Sequence, residues 1–254
     1  MRSPLLMIAI LVSACCWLQA AEPEVKLPPN GTWTKYRKMV RNSAGTEISS
    51  TLMIRLLAGL DENGERSRWL EFEWLPDGKN DERELDKYLI LEKALLNDPA
   101  PIRSALRSWH QNGVKEPHKR DRAAEGANPY WFESFISGPC LVCLPVVRDG
   151  LESHTVSRTV PFQRGELQCK SALKGVPHSD RRLVSASAKE IQATESTVWL
   201  HPDIPFGFAS ASFRLSTQQV DDAGNVSKPR QLAAMEFTVL DSGDKAESAI
   251  PDAK

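Results

Sequence analysis

The chain has 254 residues, with 32 basic and 33 acidic side chains, 41% apolar residues and five cysteines, for a formal charge of −1 at pH 7. That balance excludes collagen-like, coiled-coil, disulfide-dense and wholly disordered chains. It also excludes a strongly basic nucleic-acid binder, since no net positive field draws phosphate.

Arg2 precedes an apolar run from Leu5 to Leu18. The run is shorter than the roughly 20 residues a bilayer span needs, and it suits a secretory signal. Small residues at Ala20 and Ala21 allow cleavage there, which removes Arg2, Cys15 and Cys16 from the mature chain. A second reading competes: Val12-Ser13-Ala14-Cys15 looks like a bacterial lipobox, which would make Cys15 a lipidated N-terminus and a membrane anchor. Either way the protein is expected outside the cytoplasm, in the periplasm or secreted. No later segment is apolar for long enough to cross a membrane as a helix.

The expected layout is a signal over 1–21, a proline-broken linker over 22–30, one β-rich domain over 31–240 and a polar tail over 241–254. Trp33 to Arg41 reads as a strand, and Asn42-Ser43-Ala44-Gly45 as a turn. Glu47 to Leu57 alternates, with Ile48, Leu52, Ile54 and Leu56 on one face; Asn63-Gly64 then signals a tight hairpin. Arg68 to Leu75 alternates again, with Leu70, Phe72 and Trp74 on one side and Trp69, Glu71 and Glu73 on the other. A fourth strand is expected at Asp86–Glu92. Asp98, Pro99 and Gly113 bracket Ile102, Ala105, Leu106 and Trp109 at helical spacing, which predicts a packing helix. Residues 112–129 read as a long polar loop whose basic knot, His118-Lys119-Arg120, is too short to suggest nucleic acid. Further strands are expected at Phe135–Val147, Leu151–Phe162, Glu166–Leu173, Leu183–Ser187, Thr197–Leu200, Phe208–Leu215 and Leu232–Leu240. Many short strands with close turn signals imply an antiparallel, β-rich domain.

Candidate chemistry centres on Cys140-Leu141-Val142-Cys143, with Cys169 as the third mature cysteine. Such a pair can be a redox couple, half of a zinc site completed by Cys169 and His178, or a partner in a disulfide with Cys169. The flanks are β-like, so the helix N-terminus that activates a redox cysteine is missing; outside the cytoplasm a disulfide among Cys140, Cys143 and Cys169 is the expectation. The five histidines never form a His-Glu-x-x-His pair. No Gly-x-Ser-x-Gly elbow, phosphate-cradling loop or dinucleotide fingerprint occurs, and no cofactor is expected. His201-Pro202-Asp203 reads as a turn rather than a base with its carboxylate. Glu71 and Glu73 could be paired acids, but on a half-exposed sheet they read as its solvated side.

Gly31-Thr32-Trp33-Thr34-Lys35-Tyr36, Arg68-Trp69-Leu70-Glu71, Gly165-Glu166-Leu167-Gln168-Cys169, the stretch from Val198 to Gly207 and the closing stretch from Leu240 to Ala249 together resemble a group of secreted bacterial proteins of the planctomycete type. That group is distantly similar to the Lol-type periplasmic lipoprotein carriers. The resemblance covers roughly residues 31–250 through turn-and-strand signatures, and it carries over no catalytic residue. The Cys-x-x-Cys pair and the 112–129 loop depart from it. It implies a mainly β (α+β) fold: a curved, incompletely closed antiparallel sheet with one or a few packing helices. It further implies carriage of an apolar ligand or lipid. The combined expectation is an exported, non-enzymatic envelope protein that binds an apolar ligand, a lipid or a partner protein. The alternative is an extracytoplasmic thiol-redox or zinc-dependent enzyme centred on Cys140 and Cys143.

Overall fold

The computed structural model describes residues 27–97, 101–113, 115–119, 151–162, 165–175, 178–183 and 189–250. Three long strands come first: β1 (Thr32–Asn42), β2 (Glu47–Glu62) and β3 (Glu65–Pro76). They are followed by β4 (Glu84–Leu91), a short helix α1 (Glu92–Asn97), β5 (Arg107–Asn112) and β6 (His118–Lys119). The second half holds β7 (Leu151–Phe162), β8 (Gly165–Gly175), β9 (His178–Leu183), β10 (Lys189–Leu200), β11 (Phe208–Val220) and β12 (Arg230–Gly243).

These form one twelve-stranded sheet in the order β6-β5-β4-β3-β2-β1-β12-β11-β10-β8-β7, with β9 also paired to β10. Neighbouring strands run antiparallel. The expected open antiparallel sheet is therefore present. It curls: β7 comes close to β12 although β11, β10 and β8 lie between them in the sheet. Register shifts at Lys35/Tyr36, Thr155/Arg158, Trp199/Leu200 and Leu215/Ser216 add local twist and help that bending. At the β2–β3 hairpin, Asn63 and Gly64 both have positive φ, 53° and 80°, the conformation that a two-residue turn requires.

One face of the sheet carries the core. Leu52, Ile54 and Leu56 of β2 meet Leu70, Phe72 and Trp74 of β3, as the period-2 pattern predicts. The β10–β11 loop folds Ile204 and Phe206 into the same cluster. Tyr36 stacks flat on Phe208, with ring centroids 4.4 Å apart, and its hydroxyl donates to the Phe208 carbonyl at 3.2 Å. Ile48 shares that face but lies at its end, 58% exposed.

The expected helix over 98–113 does not form. Pro101–Ser104 is a single 3-10 turn, and Arg107–Asn112 is strand β5, paired to β4 from Leu89–Arg107 to Glu84–Asn112. The spacing of Ile102, Ala105, Leu106 and Trp109 fits a helix, but Leu106 is 46% exposed, and at the start of β5 exposed Arg107 is followed by buried Ser108, as neighbours on opposite faces of a strand. A short isolated helix is marginal, and the edge of β4 offers ladder bonds to alternate residues of an antiparallel partner. Gly113 does take positive φ, as a turn residue whose N–H donates to the Arg83 carbonyl at 2.6 Å. The polar stretch after it also contains a strand, since His118 and Lys119 pair with His110 and Trp109. The expected strand at Phe135–Val147 lies outside the described residues, as do 184–187 of the one expected at Leu183–Ser187. Among the described residues, no helix is long and apolar enough to cross a membrane.

Candidate binding groove and a buried ion network

On β10 Val198 is buried in the core and Glu195 and Thr197 alternate with it, while half-buried Trp199, at a register shift, packs against the core cluster and also lines a groove. The register sets Thr197 opposite Lys174 of β8 on one side and Ser212 of β11 on the other. One step along, Glu195 faces Arg214. At the other wall, the register of β7 shifts between Thr155 and Arg158, leaving Val156 and Ser157 outside regular pairing. Those two residues, with Arg158, Lys174, Glu195, Ser196, Thr197, Trp199, Ser212 and Arg214, line a groove of about 510 Å³. Ligand sites usually span about 300–1,000 Å³.

The lining is mostly hydroxyl and charge, with Val156 and Trp199 as its apolar surfaces. Arg158 lies over the Trp199 ring, 3.8 Å from its centroid. That contact holds a guanidinium at the wall with its N–H groups still able to donate.

A second polar cluster lies on β2–β5. Trp33, Arg55, Glu71, Lys87 and Trp109 are register neighbours in one row across five strands. Glu71 and Lys87 are 0% and 1% exposed. The chain after β12 covers them, which explains how charge survives on a sheet face. The Ala246 N–H donates to the Gly31 carbonyl at 2.7 Å. The Glu71 carboxylate accepts from Arg55 Nη1 at 2.7 Å, from Ser248 Oγ at 2.7 Å and from the Ala249 N–H at 3.0 Å. Lys87 Nζ donates to Ser248 Oγ and to the Ile250 carbonyl, each at 2.9 Å. Ser248 Oγ also lies 2.5 Å from that carbonyl, but its single proton serves the carboxylate better. Arg55 bonds Glu73 as well. Arg83 Nε sits 2.6 Å from Glu73, a close charge contact off-line for a hydrogen bond. Glu71 and Glu73 are thus partnered structural acids, not the solvated side of the sheet. The tail segment that was expected to be merely polar supplies part of their environment.

At the β4–β5 edge, His110 Nδ1 lies 2.9 Å from Asp86, and its ring meets His118 edge-on at 5.4 Å. Among the described residues no group of three or more His, Cys, Asp or Glu side chains is placed to hold a metal. Cys169 is buried in the core cluster. Burial pushes its thiol above the ordinary range, opposed by the positive charge of Arg158. Cys15, Cys140 and Cys143 lie outside the described residues. His201 behaves as a turn residue: its Nδ1 accepts from the Asp203 N–H at 3.3 Å, and the loop closes through the His201 N–H to the Gly207 carbonyl at 3.1 Å.

The groove residues Arg158, Lys174, Glu195 and Arg214 were not singled out by sequence. The available signal was the alternation of polar residues on β10 and β11, but nothing in it says that these strands meet a bulged β7.

No protein-family model matches the chain, and no curated protein matches it in sequence. Among solved structures, it is similar to a protein described as exported, with a YmcC-like fold, from Bacteroides fragilis NCTC 9343. That pair has a TM-score of 0.29 at 8% identity, covering 85% of this chain and 97% of the other. A protein described as a lipoprotein from Parabacteroides distasonis ATCC 8503 gives a TM-score of 0.32 at 9% identity, covering 85% and 97%. A LolA superfamily protein from Nitrosomonas europaea gives 0.22 at 9% identity, covering 91% and 93%. A LolA superfamily protein is thus among the neighbours, and nothing in them bears on planctomycete-type relatives. Superpositions this loose carry no inference about function.

Proposed function

We propose that the protein is an exported, non-enzymatic envelope protein that binds an amphipathic ligand, such as a lipid, in the β7–β8–β10–β11 groove. The observation that carries this reading is the lining: hydroxyls and charges surround two apolar surfaces, Val156 and Trp199. A wholly apolar ligand suits such a groove poorly, because burying hydroxyls and charges without hydrogen bonds costs roughly 2–7 kcal/mol per group. The core face of the sheet, by contrast, is filled by its own side chains, including Tyr36, Phe72, Phe208 and Phe237. Export through residues 1–21, with Cys15 as a possible anchor point, belongs to the same proposal.

The test is native mass spectrometry of the protein purified from the envelope fraction and exposed to a small-molecule and lipid extract. Ser212→Trp fills the groove from β11, where Ser212 is half-buried. A bound mass present in wild type and lost in the variant supports the reading. The same adduct on both proteins, or none on either, overturns it. The mass of the mature N-terminus in the same spectrum distinguishes cleavage near Ala21 from lipidation at Cys15.

A further inference from the structure

Resting on that reading of the groove, we propose that its ligand carries a phosphate-type oxyanion, held by Arg158, Lys174 and Arg214 with the hydroxyls of Thr197 and Ser212.

Charge pairing separates this groove from much of the sheet. Elsewhere Arg41 is paired with Glu47, Arg55 with Glu71 and Glu73, Arg68 with Glu92, Lys79 with Glu82, and Lys93 with Glu65. At the groove, among the described residues, no carboxylate reaches ion-pair distance of Arg158, Lys174 or Arg214. Glu195 stands opposite Arg214 in the register, yet no ion pair joins them. Among the described residues that line the concavity, three cations stand against one carboxylate, a local excess of positive charge in a chain whose formal charge is −1. Like charges crowd one another unless an anion sits between them.

The spacing suits an anion with several oxygens. Lys174, Thr197 and Ser212 occupy one row across β8, β10 and β11. Adjacent strands lie about 4.8 Å apart, so the outer members of that row are separated by about 10 Å at the backbone. An ion over Thr197 meets the Lys174 ammonium from one side and the Ser212 hydroxyl from the other, with Arg214 one step along. A carboxylate offers two oxygens in a plane. A phosphate offers three or more in a tetrahedron, enough to meet cations arriving from separate strands. Arg158 adds a fork geometry that matches phosphate, and its stacking on Trp199 reduces the freedom it loses on binding. The part of Trp199 left to the groove then receives whatever apolar part adjoins the anion.

The experiment titrates the protein purified from the envelope fraction with three probes: dihexanoyl phosphatidylglycerol below its micelle concentration, inorganic phosphate, and a neutral alkyl glucoside. The variant is Lys174→Gln with Arg214→Gln, both exposed in the fold, and its Tm is checked against wild type. The expectation is that the phosphatidylglycerol affinity falls about tenfold in the variant and also falls with added salt, as for partly exposed charge contacts. If inorganic phosphate binds as tightly and with the same loss in the variant, the anion is taken free; if only the lipid binds well, the source is a headgroup. Both results support the proposal. Equal binding of the neutral glucoside, unaffected by the two substitutions, overturns it while leaving the groove reading intact. Binding of none of the three probes, together with a groove-filled Ser212→Trp that changes nothing toward the extract, overturns both.

Discussion

Glu71 is the residue whose loss should be felt most. Its carboxylate is fully buried and accepts three hydrogen bonds, from Arg55, Ser248 and the Ala249 N–H. Glu71→Ala leaves Arg55 and Lys87 as buried cations without that negative neighbour, and the Ala249 N–H without its acceptor. Removing one partner of a buried ion pair costs about 3–5 kcal/mol. For a folded body of roughly 200 residues, 1 kcal/mol moves Tm by about 2–4 °C, so the loss should be about 6–20 °C. Urea unfolding followed by tryptophan fluorescence gives the free energy, with Trp69 and Trp74 on the same strand as reporters. Ser248→Ala sharpens the assignment. It should cost about 1 kcal/mol in wild type and less beside Glu71→Ala, because the two share one bond while the bond from Lys87 to Ser248 remains. Glu71→Leu combined with Lys87→Met should do less harm than Glu71→Ala alone, since the buried ammonium is then gone and Arg55 keeps Glu73. A cost below about 1 kcal/mol for Glu71→Ala, or full additivity with Ser248→Ala, would refute the idea that this carboxylate latches the tail to the sheet.

Two further predictions concern the scaffold. Burial holds the Lys38 ammonium below its ordinary value of 10.5, with Glu84 opposing the shift. A base with a lowered folded-state pKa penalises folding while it is charged, so stability should rise as pH climbs from the lowered value toward the ordinary lysine range. Lys38→Met should flatten that slope in urea midpoints taken from neutral pH to about 10; an unchanged slope would sink the assignment. At Gly59 an added Cβ would lie 2.3 Å from the Ser67 carbonyl oxygen, backbone that cannot move aside without breaking the β2–β3 ladder. Gly59→Ala should cost about 3 kcal/mol or prevent folding, whereas Gly45→Ala should cost about 1 kcal/mol. At Gly45 φ is 81° and nothing lies within 4 Å; equal losses at the two sites by thermal melting would contradict the steric argument.

Strands were legible wherever alternation alone makes them. β7 spans Leu151–Phe162, the range read from its sequence, and Leu70, Phe72 and Trp74 enter the core as their period requires. The Asn63-Gly64 turn was legible because its positive φ values demand those residue types. The 98–113 region misled because four apolar residues at helical spacing also fit a 3-10 turn followed by a short strand. The competing term there was pairing to β4, which is set by residues elsewhere in the chain.

Local pattern by itself determined that this is a β-rich chain and which side chains share a strand face, since period 2 is a property of neighbouring residues. It could not say what covers each face. Glu71 belongs to a buried network only because Ser248 and Ala249, 177 and 178 positions away, lie across it. The groove exists only because β10 meets a bulged β7 through β8, with β11 on its far side. Burial and charge pairing depend on those long-range approaches. The tertiary structure therefore decided that the paired acids hold the tail and that Arg158, Lys174 and Arg214, which make no ion pair among the described residues, line a space of ligand size.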